Sequence, residues 1–202
     1  MMGSALQGNR FYKLMGVVLL LLVITGFGIS AIVRELNPVE LPLLFHVHAI
    51  VYLAWFTLFI VQVSLIGANN RELHKRLGQF SVIIIFAMLV SGWMMAQGSY
   101  DRGISPIPDI SIQQFMAFPV FDLIGLTLFY SLAIANRSNA EFHKRAMLLT
   151  GLAILDPAVA RVGIIVGFPP FPLVAADLGQ VQGHGVFGTC CLQQRRYPKP
   201  KG

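Results

Sequence analysis

The sequence has few charged residues and almost no cysteine. Only 12% of its 202 residues are charged, whereas an ordinary soluble domain has about a quarter. The two cysteines, Cys190 and Cys191, are adjacent, so they provide neither a disulfide framework nor a metal-ligand spacing. The chain also lacks a phosphate-binding glycine loop, a His-Glu-x-x-His motif and a nucleophile elbow. These absences argue against a disulfide-rich domain and against the common nucleotide-dependent and hydrolytic enzymes.

Long hydrophobic runs take the place of the charged residues. Hydrophobic residues make up 55% of the chain. A hydrocarbon core of about 30 Å needs about 20 helical residues, and five charge-poor stretches have that length. We therefore predict an all-α, polytopic transmembrane helical bundle, with residues 1–177 as one domain and Pro157 bending the last span. The five predicted spans are residues 14–33, 43–67, 77–97, 116–135 and 146–166.

The basic residues between the spans predict the orientation. They cluster before span one, between spans two and three, and between spans four and five. The residues are Arg10, Lys13, Arg71, Lys75, Arg76, Arg137, Lys144 and Arg145. The positive-inside rule therefore places the N-terminus in the cytoplasm. The formal charge of +6 is explained by topology and by contact with an anionic lipid bilayer, and nucleic acid is not expected as a partner.

The C-terminal region departs from this pattern. A sixth span at residues 171–191 would return the last basic residues to the cytoplasm, but it contains Asp177, His184 and four glycines. A charge near the membrane centre costs about 2.5–3.5 kcal/mol. Residues 178–202 are rich in Gly, Gln, Arg and Pro. Two interpretations stay open, a disordered tail and an ending altered by a reading-frame shift.

A short motif occurs twice. Glu-Leu-His-Lys-Arg at residues 72–76 recurs as Glu-Phe-His-Lys-Arg at residues 141–145, and a Thr-Leu-Phe precedes each copy. One interpretation is a duplicated helical hairpin, residues 43–97 and 116–166, of the kind that places a site at a pseudo-symmetric interface. The other is that membrane topology demands a basic loop end at both places.

Three charged residues lie inside the predicted spans. Asp122 and Arg161 lie at similar depths, and Asp156 lies closer to the midplane. Because a lone charge is costly there, we expect Arg161 to form an ion pair with Asp122, with Asp156 as a second candidate. This pair either lines an outward-facing polar cavity or fixes the register of two helices.

The second span begins with His46 and His48, which are about 200° apart on a helix and cannot face one site together. His48 shares a stripe with Tyr52 and Trp55, and we predict that this stripe faces inward. His48 and His46 are therefore candidates for one polar cluster within the membrane, together with Asp122, Asp156 and Arg161. The competing interpretation places them among lipid headgroups.

His74 and His143 are the histidines of the repeated motif, and each opens a span on the same side. Equal depth on two helices is the condition for ligation of a haem iron by two imidazoles, and the adjacent Lys and Arg residues suit haem propionates. Haem b is therefore the candidate cofactor, with no other metal expected. The competing interpretation is binding of lipid phosphate.

These motifs carry a resemblance. His-Lys-Arg-Leu-Gly at residues 74–78, His46-x-His48 and the second motif copy resemble a group of uncharacterised bacterial multi-span membrane proteins over residues 40–165. That resemblance implies a helical membrane fold in a bacterial inner membrane. More loosely, His-x-x-Leu-Gly is similar to a ligand motif of membrane di-haem b-type cytochromes. This likeness implies that His74 is a ligand with His143 as the second, and that at most one haem is bound.

Three functions remain open after the sequence analysis. The first is a haem-b-binding membrane redox protein that passes electrons between a quinone and an external acceptor. The second is a small transporter or ligand-binding membrane protein with an outward polar cavity. The third is a non-catalytic membrane subunit in which the polar groups serve packing.

Overall fold

The computed structural model describes residues 2–35, 42–103 and 110–165. These residues form helices and no strand, which confirms the predicted helical bundle. The helices are α1 (Met2–Glu35), α2 (Leu43–Gly67), α3 (Arg71–Asp101), α4 (Ile112–Phe115), α5 (Ala117–Ala135), α6 (Ala140–Leu152) and α7 (Asp156–Ile165). The predicted sixth span, residues 171–191, and the tail, residues 178–202, lie outside the described residues.

Four helical segments are long and apolar enough to cross a membrane. They are Asn9–Gly28 in α1, the whole of α2 and α3, and Ile112–Ala135, which includes α4 and α5. Helices α6 and α7 reach the required length only as a pair, and they are bent by 51° where they meet. The described part of the chain therefore has four candidate spans, or five if the bent pair crosses as one broken span.

The predicted fifth span, residues 146–166, is not one continuous helix. Helix α6 ends at Leu152, and α7 begins at Asp156. The Leu155 carbonyl then accepts the first backbone hydrogen bonds of α7, from Ala158 at 3.0 Å and from the next residue at 3.1 Å. Pro157 has no backbone N–H and its ring clashes with the carbonyl four residues earlier, so it is accommodated at the start of a helix. The expected bend is therefore a complete break just before Pro157.

The helices pack as a closed ring. Helix α1 packs on α2, α2 on α3, α3 on α5 and α5 on α6, and the α6–α7 pair returns to α1. Five of these helices contribute side chains to one core, including Leu19, Phe56, Met88, Leu126 and Ala158. Many large apolar side chains point outward. Such a surface suits lipid, because lipid tails are as apolar as the side chains.

Short turns make the neighbouring helices antiparallel. Residues 68–70 join α2 to α3, and residues 136–139 join α5 to α6. Lys75, Arg76, Lys144 and Arg145 follow these turns and lie at the same end, which we call the basic end. We call the opposite end, where α2 begins and α3 finishes, the far end.

Helix α1 approaches α7 closely at Gly26. A Cβ atom added to Gly26 would lie 2.6 Å from the carbonyl oxygen of Ala158. This contact is with backbone, which cannot swing aside as a flexible side chain can. Glycine at this position therefore allows the two helices to touch.

The Gly26 contact gives a direct test of the α1–α7 packing. Gly26→Ala should destabilise the protein by about 1–3 kcal/mol through overpacking, measured by thermal unfolding in detergent. Gly28→Ala is the matched control on the same helix, because a Cβ there meets nothing within 4 Å. Equal melting temperatures for the two variants would contradict this packing.

Candidate functional site

The two repeat histidines lie at the basic end in matching surroundings. The Nδ1 atom of His74 is 3.4 Å from the carbonyl oxygen of Gln62 in α2, and that of His143 is 2.8 Å from the carbonyl oxygen of Ala133 in α5. In both hairpins, the acceptor belongs to the preceding helix. A neutral imidazole that donates from Nδ1 keeps a lone pair at Nε2, and such a bond commonly orients histidines that bind metals.

The bundle brings these two histidines into the same region. Their imidazoles are close enough to interact electrostatically. The cations beside them contact glutamates of the same helix, in the pairs Glu72–Arg76, Glu141–Lys144 and Glu141–Arg145. The Lys144 ammonium also lies 5.2 Å from the centre of the Tyr12 ring, which links α6 to α1.

The likeness of the two hairpins extends beyond the predicted motif. Asn70 and Asn139 begin α3 and α6, and the side chain of each accepts a backbone hydrogen bond at 3.2 Å from the residue three positions later. Ser81 and Thr150 each lie seven residues after the repeat histidine, and both are buried. These matches give the two helices equivalent starts and equivalent buried hydroxyls. Duplication of a hairpin remains a prediction.

Two carboxylates lie within electrostatic range of each other in the far-end half of the bundle. Asp122 is half-buried on α5, and Asp156 is the first residue of α7, exposed at the helix break. Their charges are close enough to interact. Tyr52 of α2 lies within electrostatic range of Asp122. The structure therefore assembles Asp122, Asp156 and Tyr52 from three different helices.

Arg161 makes other contacts than the predicted one. Its guanidinium donates to the Pro157 carbonyl oxygen at 2.7 Å and lies 4.4 Å from the centre of the Phe27 ring. The predicted Asp122–Arg161 ion pair is not among the ion pairs of the described residues. The prediction is corrected accordingly, because the guanidinium is directed to the aromatic face of α1, where a cation–π contact stabilises it.

Helix α2 directs a polar and aromatic stripe into the bundle. Trp55 is 3% exposed, and its ring packs edge-on against Tyr130 at 5.9 Å between centroids. One and two turns earlier, the rings of Tyr52 and His48 are 4.2 Å apart. His46 is exposed instead. The stripe therefore faces the core as its spacing predicts, and His46 is separated from the candidate cluster.

A buried hydrogen bond that the sequence analysis did not identify joins α3 to α5. The hydroxyl groups of Ser81 and Tyr130 are 2.7 Å apart. Three helical turns further along α3, a Cβ on Gly92 would lie 2.9 Å from the Tyr52 hydroxyl, so glycine leaves space for that group. A hydroxyl-bearing residue within an otherwise apolar span indicates that a buried hydrogen bond is needed there. The sequence does not identify the residue that forms it.

Two grooves on the sides of the bundle are apolar and open outward. One lies between α2 and α3 and the other between α3 and α5, and neither includes Asp122 or Asp156. In the described ranges, no three His, Cys, Asp or Glu residues are grouped so that they could hold a metal ion. The carboxylate pair and the histidine pair are therefore the two candidate sites.

No protein-family model matches this chain, and no curated protein or solved structure is significantly similar to it. The resemblances to uncharacterised bacterial membrane proteins and to b-type cytochromes thus remain predictions.

The hydroxyl pair allows a test of the packing around these sites. Tyr130→Phe should destabilise the protein by about 0.5–1.5 kcal/mol, because Ser81 loses its partner on α5. Thermal unfolding would measure the effect, with Tyr100→Phe, at an exposed position, as the control. Adding Ser81→Ala to Tyr130→Phe should cost little more, and fully additive losses would contradict a direct hydrogen bond.

Proposed function

We propose that this protein is a small membrane transporter whose proton-binding site is the pair Asp122 and Asp156. The observation that carries the proposal is that two carboxylates lie within electrostatic range of each other beside a helix break. A charge inside a membrane protein is expensive and usually has a functional reason. A second carboxylate within electrostatic range makes the charge on Asp122 more expensive still, because like charges repel.

A proton is the ligand that suits this pair best. When one carboxyl group holds a proton, it is neutral, so the pair needs to hold only one negative charge. Release of that proton restores the repulsion. The pair can therefore alternate between two states, which is what a proton carrier needs.

The helix break supports the same function. Backbone groups released at a break inside a membrane must be buried in protein or face a water-filled cavity. Many transporters place their substrate and ion sites at such broken helices near the membrane middle. Asp156 begins α7 directly after the break, so water that reaches the break would also reach this carboxylate.

The orientation is also part of the proposal. The basic end would face the cytoplasm by the positive-inside rule, in a bacterial inner membrane. The carboxylate pair lies in the other half of the bundle, so it would lie nearer the outer side of the membrane. A pair near the middle of a bundle can serve either side if the helices around the break shift.

Proton flux into proteoliposomes tests this function. A pH-sensitive dye inside the vesicles should report flux for the unmodified protein after a pH step, with the membrane potential clamped. Asp122→Asn should reduce the flux to that of protein-free vesicles, because an amide cannot carry the proton. Asp101→Asn, at an exposed position at the end of α3, should leave the flux unchanged. An unmodified protein with no flux above protein-free vesicles, or an active Asp122→Asn variant, would refute the proposal.

A second candidate function is electron transfer through haem b, and the geometry of His74 and His143 favours it. Each Nδ1 faces a backbone carbonyl, so each Nε2 can be a ligand, and this donor set fits a bis-imidazole iron site. Lys75, Arg76 and Arg145 would meet the propionates. Bound haem would supply reversible one-electron chemistry, with a quinone as the membrane-soluble partner.

The absorption spectrum of purified protein tests the haem proposal. Protein expressed with a haem supply should show a Soret band and sharp bands after reduction with dithionite. These bands should be lost in His74→Ala and in His143→Ala, and retained in His46→Ala, whose side chain is exposed elsewhere. A folded, colourless protein would refute haem binding. Folded protein with neither colour nor proton flux would leave the third function, a non-catalytic membrane subunit.

A further inference from the structure

Three buried polar atoms on α2 have no hydrogen-bond partner within the described ranges. They are Nδ1 of His48, Nε1 of Trp55 and Oε1 of Gln62. The three residues follow one another at intervals of seven, which places them on the same face of the helix, two turns apart. Unpaired buried polar atoms are rare in folded proteins and call for an explanation such as bound water.

The unpaired atoms connect the two candidate sites. At a rise of about 1.5 Å per residue, the 14 residues from His48 to Gln62 cover about 21 Å. His48 packs on Tyr52, which is within electrostatic range of Asp122. At the other end, the backbone carbonyl of Gln62 faces the imidazole of His74. The line thus runs from the carboxylate pair to the histidine pair.

Polar groups of other helices lie along the same line. The Tyr130 ring packs on Trp55, and its hydroxyl contacts Ser81. Close to Gln62, a Cβ on Gly78 would lie 3.5 Å from the side-chain nitrogen, so α3 presents no bulky group there. A chain of hydrogen bonds along α2 must cross the distances between His48, Trp55 and Gln62. These hydroxyls and the space at Gly78 shorten the stretches that lack a polar group or room for water.

We propose that the inward face of α2 binds a file of water molecules that conducts protons between the far end and the basic end. Water can accept a hydrogen bond from the Trp55 N–H and donate to the Gln62 oxygen, so it satisfies donor and acceptor alike. In each hop, one O–H bond breaks as the next one forms. One proton enters, another leaves and the water is unchanged. The binding of water along α2 does not depend on the proposed function. The conduction of protons along that water rests on the proposed proton site at Asp122 and Asp156.

The two tryptophans of the chain provide a probe that leaves the path intact. Trp55 is 3% exposed and Trp93 is 50% exposed, on another helix. In full-length protein labelled with ¹⁵N-tryptophan, Trp93→Phe leaves one indole N–H signal, that of Trp55. After transfer into D₂O, a hydrated Trp55 indole should lose its signal in the first spectrum, although the side chain is buried.

The backbone N–H of Trp55 is the matched control within the same residue. It lies in the hydrogen-bonded interior of α2, so it should stay protected while the indole exchanges. An indole signal that persists as long as the backbone signal would overturn the proposal, because it means a dry core. Joint exchange of both groups would also overturn it, because it means opening of the bundle rather than a bound file of water.

A second variant separates the path from the proton site. Gln62→Leu should lower proton flux about tenfold, equivalent to about 1.4 kcal/mol in the barrier, whereas Gln79→Leu, exposed on α3, should not. Flux that is lost in Asp122→Asn but unchanged in Gln62→Leu would overturn the path and leave the proton site standing. If the unmodified protein shows no proton flux, both the proton site and conduction along the path are overturned. A hydrated Trp55 would not rescue conduction in that case.

Discussion

In a hydrocarbon environment, every backbone N–H and C=O group must find its partner inside the protein. This constraint explains why the described chain is helical almost throughout, with asparagine side chains accepting backbone bonds where α3 and α6 begin. It also makes the break between α6 and α7 the exceptional feature of the bundle. Pro157 disrupts the helix there, and the cost of released backbone groups is acceptable only where protein or water receives them. Asp156 lies at this break, within electrostatic range of Asp122.

The site combines features that would each be unfavourable alone. A half-buried Asp122 faces a like charge rather than a cation, and α2 presents buried polar atoms to a largely apolar core. A bound proton and bound water would satisfy both at once, because the proton removes the repulsion and water supplies the missing hydrogen bonds. The histidine pair at the basic end then lies where such a path would leave the bundle. If the histidine pair bound haem b instead, the same largely apolar interior would separate the haem from the far end.

Sequence analysis predicted the helical fold and the first four spans, because length and hydropathy decide whether a helix can cross a bilayer. It also predicted the inward face of α2 from the spacing of His48, Tyr52 and Trp55. It predicted that Pro157 bends the fifth span, and the structure has a 51° bend between two separate helices there, because proline fixes the presence of a disruption but not whether the helix bends or stops. It was wrong about the Asp122–Arg161 pair. Helices that are apolar all round carry little information about rotation, so which charged residue meets which is decided by packing. Gln62 and Tyr130 were missed for the same reason.

The central claim is that Asp122 and Asp156 hold a proton within the membrane. Dicyclohexylcarbodiimide reacts with protonated carboxyl groups in apolar surroundings, and mass spectrometry of digested protein locates the adduct. The account predicts an adduct on Asp122 or Asp156 in lipid vesicles at neutral pH, with Asp101 unlabelled. Adducts confined to carboxylates other than Asp122 and Asp156, or none at all, would contradict the claim, because both aspartates would then be ionised or engaged with another group.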